Sequence, residues 1–293
     1  MSNKAEYPKI IFLMPYFGSW PFWMPFYLES CSYNPDITWL FYTDCEPLEG
    51  APSNVKFKSM SFDEYCQLVS DKLEIDFKPS TPYKICDVRP AMGYIHKEDL
   101  VGYDFWAFGD IDVIYGNLKE YFTASRLIKK HLFSTHARRI SGHLCLIRNN
   151  DDMRNAFRDI PDWIKRFTDS EHHSLDEGAF SRLFMGHKNW PDWLRKIAEQ
   201  FKSRSRKSEF MEAHSTYTLM PDGSKKTPEA WLWKKGSLYN SDFGNVKLPY
   251  CHFLTWKKHD WVDKETEQLV CCDGISSSSY WKVSKEGFEC ISQ

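Results

Sequence analysis

Two hydrophobic rhythms alternate along the first part of this chain. Lys9 to Met14 is a short, nearly continuous apolar run ended by Pro15, the pattern of a buried strand. Trp23 to Cys31 reads as a helix. Ile37 to Thr43 and Val55 to Ser59 read as further strands, the first ending at Asp44. Ser61 opens a helix with capping-box spacing to Glu64, and Phe62, Tyr65, Val69 and Leu73 recur on one face. Pro82 begins another helix, with Ile85, Val88, Met92 and Ile95 on its apolar side. The run from Phe105 to Tyr115 is apolar except for Asp110 and Asp112. Strand alternating with helix predicts an α/β fold with a mostly parallel central sheet flanked by helices. Ligands in such sheets sit at the carboxyl ends of the strands, where Tyr16, Asp44, Asp110 and Asp112 fall.

The second part is more mixed. His131 to Thr135 and His143 to Arg148 read as two strands around a turn at Ser141-Gly142. Asn149 or Asn150 caps a helix with Asp151 and Asp152 in its first turn. Leu175 to Met185 and Pro191 to Phe201 are further helices. Lys202 to Lys207 holds four basic residues, read as a solvated face, with a phosphate or lipid-headgroup contact as the minority option. Trp231-Leu-Trp-Lys-Lys-Gly predicts a hairpin, and Lys247 to Leu254 a last strand. Beyond Trp261 the tail shows a serine run and little pattern.

Composition narrows the class. The 293 residues are 42% hydrophobic and 27% charged, which describes a globular protein with a sizeable core. A net charge of −2 gives no sign of a nucleic-acid partner. Nine cysteines with no Cys-x-x-Cys pair, several inside apolar segments (Cys45, Cys86, Cys145, Cys251), read as reduced thiols of a cytoplasmic protein. The pair Cys271-Cys272 has no explanation. Ile10 to Leu28 carries no charge, but Pro15, Pro21 and Pro25 exclude a continuous spanning helix. Its aromatic residues Trp20, Phe22, Trp23 and Phe26 either fill the core or rest on a membrane interface. Neither a dinucleotide fingerprint nor a P-loop is present.

The chemistry concentrates at Asp110-Ile111-Asp112. On a strand the two carboxylates point to one side and Ile111 to the other. Charges in apolar surroundings cost several kcal/mol unless paired, and two carboxylates repel. A divalent cation shared with a substrate diphosphate resolves both problems. The plain alternative is two turn aspartates after a strand.

Asp44, Phe108-Gly-Asp-Ile-Asp-Val-Ile-Tyr-Gly and the late Tyr250-Cys-His-Phe-x-x-x-Lys together resemble GT-A nucleotide-sugar glycosyltransferases, closest to bacterial enzymes of capsule and O-antigen assembly. Pro15-Tyr-Phe-Gly-Ser-Trp-Pro and Lys84-Ile-Cys-Asp-Val-Arg-Pro-Ala are similar to that family too. The glycogenin and lipopolysaccharide-galactosyltransferase group is a more remote likeness. The resemblance spans roughly Lys9 to Lys258. It implies a GT-A-like domain over residues 1–260, with a nucleotide-sugar half at 1–120 and an acceptor half at 121–260. Residues 261–293 would be an extension of unknown role.

The resemblance also implies roles. Asp110, Asp112 and His252 would hold Mn²⁺ or Mg²⁺ against the diphosphate, with Lys257 (or its neighbour Lys258) offsetting phosphate charge. Tyr16, Asp44, Asp87 and Arg89 would bind the donor, by default a UDP-hexose. Asp176 and Glu177 would be catalytic, and His143 would face a glycan or lipid-linked acceptor. Asp-Glu-Gly stands at 176–178 where the glycogenin-like group has Asp-Gln-Asp, so retention and inversion both stay open. The acceptor would bring a cytoplasmic enzyme to the inner membrane face, with the loop after Pro15 as a candidate contact. Two alternatives compete. One is a haloacid-dehalogenase-like phosphatase with Asp110 as nucleophile and Asp112 as acid-base. The other is a nonenzymatic carbohydrate-binding protein.

Overall fold

The structure, a computed structural model, describes residues 6–186, 190–219, 224–261 and 280–291. The expected α/β architecture is present. Its main sheet contains β1 (Ile10–Pro15), β2 (Ile37–Thr43), β3 (Val55–Ser59), β4 (Phe105–Gly109), β6 (Leu132–Ser134), β7 (Leu144–Arg148) and β8 (Ser208–Phe210). The strand order is β3-β2-β1-β4-β7-β6-β8. β1 to β4 run parallel, β7 is antiparallel to both its neighbours, and β8 is parallel to β6. The chain leaves β1 towards β2 and β3, then returns to place β4 on the other side of β1. A crevice therefore opens between β1 and β4 at their carboxyl ends.

Strand alternation divides the core between the two faces. Phe12, Met14, Trp39 and Phe41 face the helix Met24–Ser32 and the aromatic residues of the carboxyl-terminal strands. Ile11, Leu13, Leu40 and Tyr42 face the helix Phe62–Leu73 and the segment 85–95. The capping box forms as its spacing predicts: Glu64 N donates to Ser61 Oγ, and Ser61 N donates to the Glu64 carboxylate at 2.7 Å. The helix predicted from Pro82 is broken into four short pieces ending at Ile95. Pro90 supplies no backbone N–H, so the ladder cannot continue through it. Its apolar face is buried as expected.

Two readings of the late chain change. The strand expected over Lys247 to Leu254 is only β13 (Tyr250–His252), followed by a short helix, Leu254–His259. β13 pairs antiparallel with β5 (Val113–Tyr115). The tail, expected to lack pattern, supplies β14 (Tyr280–Ser284) and β15 (Gly287–Cys290). They extend the hairpin of β11 (Ala230–Lys234) and β12 (Ser237–Asn240) into a four-stranded sheet that buries Trp231, Trp233 and Trp281. The predicted hairpin turn is there, with Lys235 and Gly236 at φ +45° and +79°, the two positive values a type I′ turn needs. A two-residue pair, β9 (Thr218–Leu219) with β10 (Lys225–Lys226), forms a separate antiparallel ladder.

The cysteine and membrane readings change in part. Among the described residues six cysteines are free thiols, but Cys290 is disulfide-bonded, which the reading of nine reduced thiols did not anticipate. Cys271 and Cys272 lie outside the described residues. The aromatic loop after Pro15 is mostly core: Phe26 is fully buried, Trp23 nearly so, and Phe22 packs against them. Trp23 also donates its indole N–H to Ile111 O, so it is not free to enter a lipid surface. Among the described residues no helix is long and apolar enough to cross a membrane.

Candidate active site

Asp110 and Asp112 leave the main sheet at the carboxyl end of β4, in the bend before β5. The strand geometry expected for them therefore does not apply, yet both line the same cavity, of about 600 Å³, at the β1/β4 crevice. The β5–β13 ladder brings the late chain to them. His252 pairs with Val113, and Phe253 N donates to Asp112 O at 3.2 Å. Lys257 follows one turn into the next helix and ion-pairs with Asp112 Oδ2.

His252 is buried. Its Nδ1 hydrogen-bonds the Thr216 hydroxyl at 2.9 Å, and its backbone N–H donates to Ser215 O at 2.8 Å. These contacts aim Nε2 at the carboxylates, 3.8 Å from Asp110 Oδ2 and 3.5 Å from Asp112 Oδ1. Both distances are too long for a good hydrogen bond, so Nε2 is a buried polar atom without a partner. Asp110, His143 and His252 each offer a ligand atom, and the three atoms lie within 4.8 Å of one another. A carboxylate and two imidazoles suit a first-row divalent cation, and a hydrogen bond on the far nitrogen, here with Thr216, orients such an imidazole. The residues present thus fit a metal ion. His143, expected to face an acceptor, falls with these ligand atoms, its ring centroid 4.4 Å from that of His252. Burial pushes the His143 imidazole well below its ordinary value, and the neighbouring His252 and Arg139 push the same way, so it is a neutral ligand-type nitrogen.

Asp112 stands beside the cluster. Burial alone would raise its carboxyl, but His252 and the Lys257 ammonium outweigh that and hold it well below the usual carboxylate range. Arg89 binds the other side of the cavity together. Its guanidinium lies over the Phe108 ring, donates to Asp110 Oδ1 at 2.5 Å and to Gly142 O at 3.0 Å, and pairs with Asp176 Oδ2 at 3.3 Å. It acts as a strut between the two acidic segments. Asp176 opens a π-helical turn, Asp176–Phe180, a distortion common at functional sites. Burial raises the Asp176 carboxyl, opposed by Arg89. Glu177 ion-pairs with Arg139 and takes a 3.4 Å hydrogen bond from Gly142 N.

The predicted site residues do not all meet. Tyr16, Arg89, Asp110, Asp112, His143, Asp176, Glu177, His252, Lys257 and Lys258 line the cavity. Asp44 does not: it is exposed and accepts from Gly18 N, in the loop after β1, at 2.8 Å. Asp87 does not either, which corrects its placement at the donor. It is fully buried, ion-paired with Lys84 at 3.0 Å, and accepts from His173 N and Leu175 N, so it anchors the chain leading to Asp176. Thr216, Arg139 and His136 were missed. Each stands in an irregular stretch where no periodicity or motif sets it apart.

Sheet and cavity together define an α/β protein whose strand-end crevice carries a carboxylate–histidine cluster. The chain belongs to the family described as "Family of unknown function (DUF6625)", whose model matches residues 12–279. No curated protein matches it. Among solved structures it is similar to an active-site mutant of LgtC, at 12% identity and a TM-score of 0.35, covering 58% of this chain and 71% of that one. It is similar to galactosyltransferase LgtC in complex with donor and acceptor sugar analogues at the same identity and score, covering 73% of this chain and 91% of that one. Likeness of that degree assigns no activity.

Proposed function

We propose that this chain is a metal-dependent glycosyltransferase of GT-A type. It would move a hexose from a nucleoside-diphosphate sugar, by default UDP-linked, to a growing surface polysaccharide or lipid-linked oligosaccharide at the cytoplasmic membrane face. The observation that carries this reading is the buried, unpartnered His252 Nε2 aimed between Asp110 and Asp112 at a parallel-strand switch point. Asp110 and His252, with His143 or Asp112, would hold Mn²⁺ or Mg²⁺. When bound, the metal supplies positive charge to the diphosphate.

The chain's own residues do the rest. Lys257 lies where an ammonium offsets charge growing on the departing diphosphate. Arg89 fixes the Asp110 and Asp176 carboxylates relative to each other. Tyr16, stacked on Trp20 at 5.2 Å between ring centroids, offers an aromatic wall for the base or ribose. Asp176 and Glu177 are cavity acids contributed by the acceptor half. One would accept the acceptor hydroxyl proton or hold donor-sugar hydroxyls as the C1–O bond to the diphosphate breaks and the acceptor oxygen bonds C1.

The test is release of nucleoside diphosphate from a panel of nucleotide sugars with Mn²⁺. Slow donor hydrolysis that EDTA abolishes and Asp112→Ala removes is the expected result. Phosphate release from phosphomonoesters without nucleotide-sugar turnover would favour the phosphatase. Glycan binding that persists in Asp112→Ala with no turnover would favour a binding protein.

A further inference from the structure

The helix Asp192–Gln200 is strongly two-sided, and its apolar side is uncovered. Trp193, Ile197 and Phe201 stand four residues apart, so they share one face. Their side chains are 65%, 52% and 85% exposed. Trp190, 38% exposed, lies just before the helix. A globular helix normally turns such a face inward, and an exposed apolar stripe of this size marks a contact surface.

Charge around the stripe identifies the occupant. Between residues 192 and 207 the sequence has six basic and two acidic residues. Arg204 is neutralised by Asp152 and Asp159. Among the described residues none of Lys196, Lys202, Arg206 and Lys207 forms an ion pair, and Lys130 joins them by donating to Arg206 O at 2.7 Å. Aromatic and branched residues on one side, flanked by Lys196, Lys202, Arg206 and Lys207, are the composition of a helix lying in the plane of an anionic lipid surface.

We infer that residues 190–207 dock this protein on anionic lipid, through Trp193, Ile197 and Phe201 with Lys196 and Lys202 at the headgroups. This deepens, and rests on, the lipid-linked acceptor reading. Arg195 ties the helix to the acceptor side by donating to Ala137 O at 3.3 Å, next to His136 of the cavity wall. In the loop after Pro15, by contrast, Trp23 is buried and donates its indole N–H to Ile111 O.

The test is co-sedimentation of the full chain with phosphatidylcholine vesicles containing or lacking phosphatidylglycerol, without nucleotide sugar. Binding to the anionic vesicles, weakened by salt, is expected. Trp193→Ser/Ile197→Ser/Phe201→Ser should lower partitioning at least about tenfold, and Lys196→Glu/Lys202→Glu should abolish preference for the anionic lipid. All substituted side chains are exposed, and unchanged circular dichroism and Tm verify folding. Wild-type binding no stronger to anionic than to neutral vesicles overturns the inference. So does a triple variant that binds like wild type, or loss of a concentration-dependent dimer in that variant, which would make the occupant a second copy. Donor hydrolysis in lipid-free solution is scored separately, so failure of docking and failure of the glycosyltransferase reading are distinct results.

Discussion

Thr216 Oγ1 lies 2.9 Å from His252 Nδ1, on the side of the imidazole opposite the unpartnered Nε2. That hydroxyl fixes which nitrogen faces the carboxylates. Thr216→Val keeps the side-chain shape and removes the contact. Mn²⁺ affinity, measured by calorimetry or by metal-induced thermal shift, should fall about 10- to 100-fold. His252→Ala should remove the shift entirely. Unchanged Mn²⁺ binding in both variants would place any metal elsewhere.

Gly142 sits where Arg89, Asp176 and Glu177 converge. A Cβ there would lie 3.0 Å from Asp176 Oδ2 and 3.1 Å from Arg89 Nη1. Gly142→Ala should displace the acidic pair while leaving the sheet intact. Donor turnover should drop roughly 10- to 100-fold, with circular dichroism unchanged. Wild-type turnover would mean that Arg89 and Asp176 need not be held where they are.

Asp87 is interior. Asp87→Ala leaves the Lys84 ammonium buried without its carboxylate and frees two backbone N–H groups. Breaking such a pair costs about 3–5 kcal/mol, readable in urea unfolding. An unchanged midpoint with weaker nucleotide-sugar binding would return Asp87 to the donor site.

His96 gives an acid limb. Burial pushes its imidazole down to about 3 from an ordinary 6.5, with Lys58 adding to the effect and Asp99 opposing it. The ring hydrogen-bonds the Tyr65 hydroxyl at 3.1 Å and stacks on Tyr42. The unfolded chain takes up this proton near 6.5 and the native chain only near 3. Stability from the neutral ring is therefore fully present above 6.5 and lost as pH falls through that window, on the order of 5 kcal/mol in all. The stability difference between wild type and His96→Phe should shift in the variant's favour on acidification. A difference independent of pH would rule out this linkage.

Gly93→Ala tests the packing. Its Cβ would lie 2.4 Å from the Trp106 indole, and both residues are buried. Overpacking of this kind costs about 1–3 kcal/mol, against the gain in helix propensity that alanine normally brings. A more stable variant would show that the indole has room to move.

Local chemistry made much of this chain legible. Continuous apolar runs marked β1, β2 and β4 because strands covered on both faces need apolar side chains at nearly every position. Ser61 and Glu64 marked a helix start because both ends of the capping box lie within one turn. Lys235-Gly236 marked a hairpin because few residue pairs tolerate two positive φ values. Asp110 and Asp112 stood out as the only charges in an apolar run. What stayed hidden depended on partners far along the chain. β14 carries only a brief alternation, Trp281 and Val283 inward with Lys282 between them, and it is the pairing with β11 that gives it a sheet to join. Asp87 and Arg89 look alike in sequence, two residues apart on one broken helix. Only packing puts one against Lys84 in the interior and the other between Asp110 and Asp176. His143 is unremarkable in sequence, and His252 stands out only within the late Tyr250-Cys-His-Phe-x-x-x-Lys run. The β4–β7 and β5–β13 ladders bring their imidazoles to one carboxylate, because strand register, not local sequence, sets which distant residues share a cavity.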